Sequence, residues 1–336
     1  MQARAIAILF SLLIIAFTIQ PSAQAGKYRY PINDAHCHFV NFIQETDGIN
    51  KLLQAMDQAE VGQVVLFGLP VQKLWTSYDL NQPKYYDDND APCYYYSLSD
   101  EILARQVMSL PEKSRERVRP FICGFNPTDR NAVEHIKRMV EFRPGFWQGI
   151  GEILTRHDDL TRLTYGETSR ADHEALDPVY EFAAAHDLPV WIHSDVGTRF
   201  VPKPIYLKEI ENAVKNHPKT RIVWCHVGFT RDIVIPTLLA EAERMLETYP
   251  NLWVDLSWVV FDDLIAPKGK LDQKWVDMIE RRQDRIMIGT DKIGGFSDYV
   301  REIRKYDILL DKLSPEAARK IASQNMLKIL PKQPAE

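Results

Sequence analysis

Eight short runs of apolar residues recur along the chain, and most are followed by a stretch in which apolar residues return every three or four positions. The short runs have the length of buried β-strands, and the longer stretches have the period of amphipathic helices. Strands are predicted around 34–39 and over 63–69, 118–125, 149–154, 189–194, 221–226, 252–256 and 285–291. Helices are predicted over 49–60, 99–110, 129–142, 175–186, 207–216, 233–248, 272–282 and 315–330.

This alternation of strand and helix predicts the fold class. Alternating elements form parallel sheets with right-handed crossovers, and eight repeats in about 300 residues favour an α/β fold, the (β/α)8 TIM barrel. An open doubly wound sheet is the alternative, but no Gly-x-Gly-x-x-Gly follows the first strand. One aromatic segment without periodicity, residues 70–98, is rich in Tyr, Asp, Asn and Pro. We interpret it as a lid loop.

The first 25 residues have the pattern of a secretory signal peptide. Arg4 gives a basic start, residues 5–19 carry no charge, and Ala23-Gln24-Ala25 is a cleavage site of the A-x-A type. Residues 26–336 are then predicted to form one exported, periplasmic barrel domain. The uncharged run is shorter than the roughly 20 apolar residues that cross a bilayer, so no membrane anchor is expected after cleavage.

Composition narrows the classes of function. The 336 residues are 45% hydrophobic and 26% charged, as in an ordinary globular protein, and the formal net charge is −5. Lys and Arg are scattered, so no nucleic-acid partner is expected. The four cysteines are too few for a disulfide scaffold, although Cys93 and Cys123 are candidates for one bridge. Cys37 and Cys225 each precede a histidine and are predicted to be buried, facing away from it. The sequence leaves the oligomeric state open.

Ionisable side chains stand at or near the ends of five predicted strands. His36 and His38 share one face of the first strand, because side chains alternate along a strand. Parallel strands of a barrel end at one mouth, so these residues are expected to meet there. Buried charges are costly without a partner, and a divalent cation is a partner for all of them. The predicted metal ligands are His36, His38, Glu152, His193, His226 and Asp291.

Several of these segments together resemble the amidohydrolase superfamily, in particular its amidohydrolase-related branch. They are His36-x-His38, Gly-Ile-Gly-Glu152, Pro-Val-Trp-Ile-His193-Ser, Trp-Cys-His226-Val-Gly and Ile-Gly-Thr-Asp291, and the resemblance extends from about residue 32 to residue 330. It implies a metal-dependent TIM barrel that is usually hydrolytic. It also implies that His36, His38 and Asp291 hold the more buried ion.

The same resemblance leaves the number of ions open. In members with two ions, Glu152 would bridge them and His193 with His226 would bind the second. In members with one ion, His193 joins His36, His38 and Asp291, and His226 orients or protonates the reacting group. Imidazole and carboxylate ligands suit zinc, with manganese or iron as alternatives.

The ligand set suggests a division of catalytic roles. A bound cation lowers the pKa of its water and polarises an oxygen of the substrate. Asp291 is then the predicted general base and His226 the electrophilic helper. Arg156, Arg199 and Trp258 follow strand ends and are candidates for substrate binding. Five histidines are predicted to be surface or structural, namely His135, His157, His173, His186 and His217.

These observations favour an exported metal-dependent hydrolase of a small ester, lactone or amide. A nonoxidative decarboxylase acting on an unsaturated or aromatic acid is an alternative, since such enzymes of the same branch look alike at the metal. A phosphoesterase or nuclease similar to TatD-type deoxyribonucleases is another, although the acidic charge weighs against it. A non-catalytic binding protein is the last, and the complete ligand set argues against that.

Overall fold

A computed structural model describes residues 27–75, 78, 80–82, 90–95 and 97–331. Its strands are β1 Ile32–His38, β2 Val61–Phe67, β3 Gln72–Lys73, β4 Cys93–Tyr94, β5 Val118–Ile122, β6 Gly149–Leu154, β7 Val190–His193, β8 Ile222–Trp224, β9 Leu252–Asp255, β10 Ile286–Met287 and β11 Lys292–Ile293. Its helices are α1 Ile49–Ala59, α2 Ser99–Met108, α3 Glu112–Arg115, α4 Ala132–Phe142, α5 Asp177–Ala185, α6 Leu207–Asn216, α7 Leu238–Thr248, α8 Gln273–Arg281, α9 Tyr299–Arg304, α10 Asp307–Leu310, α11 Pro315–Arg319 and α12 Asn325–Ile329.

The predicted barrel is confirmed. Among the described residues, nine strands form one parallel sheet in the order β10, β9, β8, β7, β6, β5, β2, β1, β11. The segment that contains β10 and β11 forms backbone hydrogen bonds with the β9 side and with the β1 side of this sheet. The amide of Leu256 donates to the carbonyl of Met287 at 3.0 Å, and the amide of Ala35 donates to the carbonyl of Ile288 at 3.0 Å. The eighth strand therefore joins β9 to β1 and completes the (β/α)8 arrangement.

Local sequence explains where the helices lie. In α1 the residues at helical spacing, Ile49, Leu52, Met56 and Ala59, are all buried, and the helix ends at Glu60 in a left-handed conformation. The final helix begins as predicted at Pro315, after Ser314 caps it by accepting from the amide of Ala317. It continues through a π-helical segment, 320–324, into α12.

The barrel interior has its own apolar cluster. Side chains from seven strands pack against α12 there, and Phe121 packs edge-on against Trp191 with ring centroids 4.9 Å apart. The cluster comprises Ala35, Val65, Phe67, Phe121, Trp191, Val223, Cys225, Trp253, Met287, Met326, Ile329 and Leu330. A second, larger core lies between the strands and the surrounding helices. Within the described residues, no helix is long and apolar enough to cross a membrane.

The cysteines differ in part from their predictions. Cys37 packs in the outer core, away from His36 and His38, as predicted. Cys225 instead lies in the barrel interior, because β8 ends at Trp224 and a turn with left-handed φ at His226 and Val227 interrupts the alternation. Cys93 and Cys123 are both buried free thiols, so the candidate bridge is wrong. The thiol of Cys123 lies instead beside Ser99 and Asp100.

The predicted lid lies partly outside the described residues, and its role stays a prediction. At its base, β3 pairs antiparallel with β4. The hydroxyl of Tyr95 donates to the carbonyl of Leu154 at 2.8 Å, which ties the end of the segment to the barrel mouth. The predicted signal peptide also falls outside the described residues.

Candidate metal centre

Glu152 stands at the centre of the polar cluster at the barrel mouth. Its Oε1 lies 3.2 Å from Nδ1 of His193 and 3.2 Å from Nε2 of His226, and its Oε2 lies 3.2 Å from Nε2 of His38. A bulge in β6 places it there, because three residue steps from Ile150 to Ile153 pair with two steps of β7. One carboxylate thus contacts histidines from three strand ends.

A second carboxylate completes the side of the cluster formed by the first strand. Oδ1 of Asp291 lies 3.3 Å from Nε2 of His38 and 3.5 Å from Nε2 of His36, while its Oδ2 lies 4.0 Å from Nε2 of His226. Asp291 has a left-handed backbone with φ of 53°. The structure therefore brings together all six residues that the sequence predicts as metal ligands, each buried or nearly so.

The outer ring nitrogen of each first-strand histidine is held by an acceptor. Nδ1 of His36 donates to Asp255 at 3.1 Å, and Nδ1 of His38 donates to the carbonyl of Gly68 at 2.6 Å. In the neutral rings the Nε2 atoms therefore carry lone pairs. These two Nε2 atoms lie 3.3 Å apart, beside the oxygens of Glu152 and Asp291.

The other two histidines follow the same pattern. Nε2 of His193 donates to Asp195 at 3.0 Å, so its Nδ1 lone pair faces Glu152. The hydroxyl of Ser257 donates to Asp255 at 2.5 Å and therefore accepts from Nδ1 of His226 at 2.9 Å. Nε2 of His226 then also presents a lone pair to Glu152.

This donor set fits a divalent cation. Four imidazole lone pairs and two carboxylates converge, and such an arrangement is repulsive unless a cation lies among them. Imidazole nitrogen and carboxylate oxygen are ligands that zinc accepts, and hydrogen bonds to the outer ring nitrogens orient such ligands. His36, His38 and Asp291 would hold one ion, His193 and His226 another, with Glu152 between them.

The pKa values of these groups reflect the same convergence. Burial disfavours a charged ring, but the carboxylates of Asp291 and Glu152 outweigh it and raise the pKa of His38 to about 9. Asp195 and Glu152 likewise outweigh burial and raise the pKa of His193 to about 10. Burial opposes ionisation of Glu152, yet the surrounding imidazoles hold its pKa well below the usual range. Without a metal, protons occupy the positions between the ligands.

A narrow cleft lies over the cluster, with about 300 Å³ of empty space that includes space open to solvent. One side consists of the candidate ligands, and the other is apolar. Of the described residues that line it, none is Lys or Arg. The apolar wall comprises Phe42, Leu69, Leu154, Leu160, Trp258 and Ile293.

Two aromatic rings connect this wall to the candidate ligands. Trp258 lies with its ring centroid 5.2 Å from that of His226, so the structure places this candidate substrate contact at the pocket. His157 stacks on His193 at 4.5 Å and also lines the pocket. The sequence does not indicate this position for His157, because the loop after β6 that folds it over the mouth has no repeating pattern.

The two candidate arginines are engaged elsewhere. Arg156 forms a two-pronged ion pair with Glu209, at 2.8 and 2.7 Å, and lies over the Tyr206 ring at 4.0 Å. Arg199 pairs with Asp159, which is buried. Neither is among the described residues that line the cavity, so their predicted substrate contact lacks structural support.

Three residues that orient the histidines are not among the predicted site residues. Asp255, Ser257 and Asp195 are all buried and bond to ring nitrogens of candidate ligands. A signal was present for Asp255, since it ends the apolar run of the seventh strand as Asp291 follows the eighth. Asp195 and Ser257 lie just beyond strand ends in ordinary loop sequence, where the pattern gave no indication.

A family model described as amidohydrolase matches residues 34–332. The chain belongs to the amidohydrolase family. The predicted resemblance is confirmed over almost the same span, and membership makes the protein an enzyme of the metal-dependent hydrolase type. No curated protein matches the sequence significantly.

Solved structures confirm the fold of this amidohydrolase at low sequence identity. An amidohydrolase from Burkholderia multivorans with bound zinc shares 13% identity, covers 89% of this chain and 99% of its own, and has a TM-score of 0.56. Dihydroorotase from Campylobacter jejuni shares 18% identity over 89% and 82%, with a TM-score of 0.52. A TIM-barrel protein from Bordetella bronchiseptica shares 14% over 83% and 80%, with a TM-score of 0.54.

Proposed function

We propose that this amidohydrolase is an exported hydrolase of a small ester, lactone or amide, and that it uses two divalent ions, with zinc as the first candidate. The observation that carries the proposal is the position of Glu152. Its Oε2 faces His38, while its Oε1 faces His193 and His226. A carboxylate that reaches both sets of lone pairs is suited to bridge two ions, which favours two ions over one.

The side chains at the mouth supply the remaining chemistry. A divalent cation there would provide Lewis acidity, which lowers the pKa of water and polarises a carbonyl oxygen. Burial raises the pKa of the Asp291 carboxyl, but the neighbouring imidazoles outweigh burial and lower it overall, so the carboxylate is ionised and able to accept a proton from water. Asp291 then passes that proton to the leaving group. With Nδ1 of His226 bonded to Ser257 and its Nε2 directed at the second ion, both ring nitrogens are engaged, so the predicted role of His226 in orienting the substrate oxygen belongs to the single-ion alternative.

The walls of the cavity support an uncharged substrate. The described lining opposite the ligands is apolar, and Trp258 offers a flat surface for a ring or an acyl chain. None of the described residues that line the cavity is a Lys or Arg that could pair with a free carboxylate or phosphate placed against this wall. This favours a neutral ester, lactone or amide over an aromatic acid, the substrate of the decarboxylase alternative, and over a nucleic-acid backbone.

Metal analysis of the mature protein, purified without added metal or chelator, is the first test. We expect two equivalents of metal, falling toward one in Glu152→Ala and in His36→Ala. One equivalent that is insensitive to Glu152 would favour the single-ion decarboxylase alternative. No metal, even after reconstitution, would leave only a binding protein.

Turnover assays then separate the reaction classes. The metal-loaded protein is offered neutral aryl esters, lactones and amides, aromatic carboxylic acids, and phosphodiesters. We expect acyl hydrolysis, measured as acid release. Release of carbon dioxide from an aromatic acid would establish the decarboxylase, and salt-sensitive DNA cleavage would establish the nuclease.

Export is tested separately from chemistry. Mass spectrometry of the protein recovered from a periplasmic fraction should give a chain that begins at Gly26, since Ala23-Gln24-Ala25 is the predicted cleavage site. Full-length protein retained in the cytoplasmic fraction would contradict the predicted location.

A further inference from the structure

One buried carboxylate contacts both halves of the candidate metal centre. Oδ2 of Asp255 accepts from Nδ1 of His36 at 3.1 Å, and its Oδ1 accepts from the Ser257 hydroxyl at 2.5 Å. Ser257 in turn holds Nδ1 of His226 at 2.9 Å. Asp255 therefore reaches a histidine on each side of Glu152, directly on one side and through a hydroxyl on the other.

The same carboxylate also holds the backbone of the second histidine. The amide of His226 donates to Oδ1 of Asp255 at 3.1 Å, and so does the amide of Ser257 at 3.1 Å. His226 and Val227 have left-handed φ of 55° and 48°. That conformation is costly for a β-branched residue, and it persists only where the surroundings fix it. The contacts of Asp255 help to fix it.

We propose that Asp255, acting with Ser257, is a positioning group that sets the ring orientation of His36 and His226 together and so joins the two ion sites into one unit. The proposal rests on the two-ion function proposed above. If both outer nitrogens are donors to this network, both inner nitrogens present lone pairs to the ions. Losing the carboxylate then affects both sites, whereas losing the hydroxyl affects only the site that contains His226.

The substitution Asp255→Asn tests the joint role. Its amide nitrogen can only donate, so it cannot accept from all the groups that Asp255 serves. We expect the affinity for both equivalents of zinc to fall about 10- to 100-fold, the usual effect of removing such an outer partner. Competition with a chromophoric chelator measures the two affinities, and cobalt(II) in place of zinc reports ligand geometry in its visible spectrum.

Substitutions of Ser257 are a milder test, which remains usable if Asp255→Asn fails to fold. Ser257→Ala should weaken one equivalent only, and Ser257→Thr, which keeps the hydroxyl, should restore it. The matched control is Asn251→Ala, which removes three hydrogen bonds to the carbonyls of Val214, His217 and Thr220 far from the mouth. It should lower thermal stability while leaving both zinc affinities and the cobalt spectrum unchanged.

The outcomes distinguish the two proposals. Wild-type protein that takes up fewer than two ions contradicts the proposed function before any variant is compared. Two ions in the wild type, with unchanged affinities in Asp255→Asn and Ser257→Ala, would overturn the positioning role and leave both residues structural. Weakening of only one equivalent by Asp255→Asn would overturn the joint role, and failure of Ser257→Thr to restore binding would overturn the part assigned to the hydroxyl.

Discussion

The two ends of this barrel are made from the same strands yet have opposite character. At the mouth, four histidines and two carboxylates converge, each within 3.5 Å of at least one other member of the group. At the other end, α12 inserts Met326 and Ile329 among apolar strand residues such as Val223 and Met287. Burying apolar surface stabilises the fold, whereas gathering lone pairs and charges does not. Stability and chemistry are therefore separated along the barrel axis.

Backbone conformation adds a further cost at the mouth. Four non-glycine residues at the mouth have left-handed φ, namely His226, Val227, Trp258 and Asp291. Such conformations cost on the order of 1–3 kcal/mol each. The mouth therefore depends on the rest of the barrel to hold its geometry.

The largest expected effect is at the centre of the mouth. Glu152→Gln keeps the shape of the side chain and removes its charge, so one ion should be lost and turnover should fall about 10²- to 10⁴-fold, as when a positioned catalytic group is removed. Steady-state kinetics and metal analysis measure this, with circular dichroism as the check on folding. If Glu152→Gln kept two ions and turned over at the wild-type rate, the separation of chemistry from stability along the barrel axis would be contradicted.

Substitutions at the opposite end of the barrel should change stability rather than activity. Ile329 is fully buried, so Ile329→Ala should lower the free energy of unfolding by about 2–5 kcal/mol, and Ile329→Val by about 0.5–1.5 kcal/mol. Denaturant titration measures both. Activity per folded molecule should stay the same in the two variants. Activity that declines in step with side-chain volume would show that the two ends are coupled.

Proton release on metal binding tests the protonation of the histidines at the mouth. With the pKa of His38 near 9 and that of His193 near 10, both rings are protonated at pH 7 in the metal-free protein. Metal binding must displace these protons, so zinc affinity should rise from pH 6 to 9. Calorimetry in buffers of different ionisation enthalpy should show release of at least one proton per ion. Affinity that is independent of pH would contradict this account.

The same raised pKa values have a consequence for stability. Protonated His38 and His193 stabilise the metal-free fold. This contribution is fully present below pH 6.5, the pKa of histidine in the unfolded chain, and it is lost as pH rises through about 9–10. The melting temperature of metal-free protein should therefore decline over that interval. Metal-loaded protein, in which ions replace the protons, should not show this decline.

The smallest effect is expected at the rim. Arg156 pairs with Glu209 rather than lining the cavity. Arg156→Ala should therefore lower the free energy of unfolding by about 1 kcal/mol or less and leave kcat/KM within about twofold of the wild type. Glu209→Gln is the matched control and should cost a similar amount. A tenfold rise in KM in Arg156→Ala alone would restore the substrate-binding role predicted from sequence.

The sequence by itself determined the barrel and the six candidate ligands. Strand and helix periods are local properties, and parallel strands of a barrel all end at one mouth, so residues such as His36, Glu152 and Asp291 were predicted to meet although they lie far apart in the chain. The terminal helix was predicted to begin at Pro315 and does so, with Ser314 as its cap.

Only the tertiary structure decided how those ligands are held. The contacts of Asp255 and Ser257 with His36 and His226 join the first strand to the turn after β8, and no local pattern encodes such distances. The inward position of Cys225 depends on a left-handed turn that breaks strand alternation. His157 reaches the pocket because a loop without periodicity folds back over the mouth. Local periodicity fixes which elements form, but the orientation of a side chain beyond the end of an element depends on what packs around it.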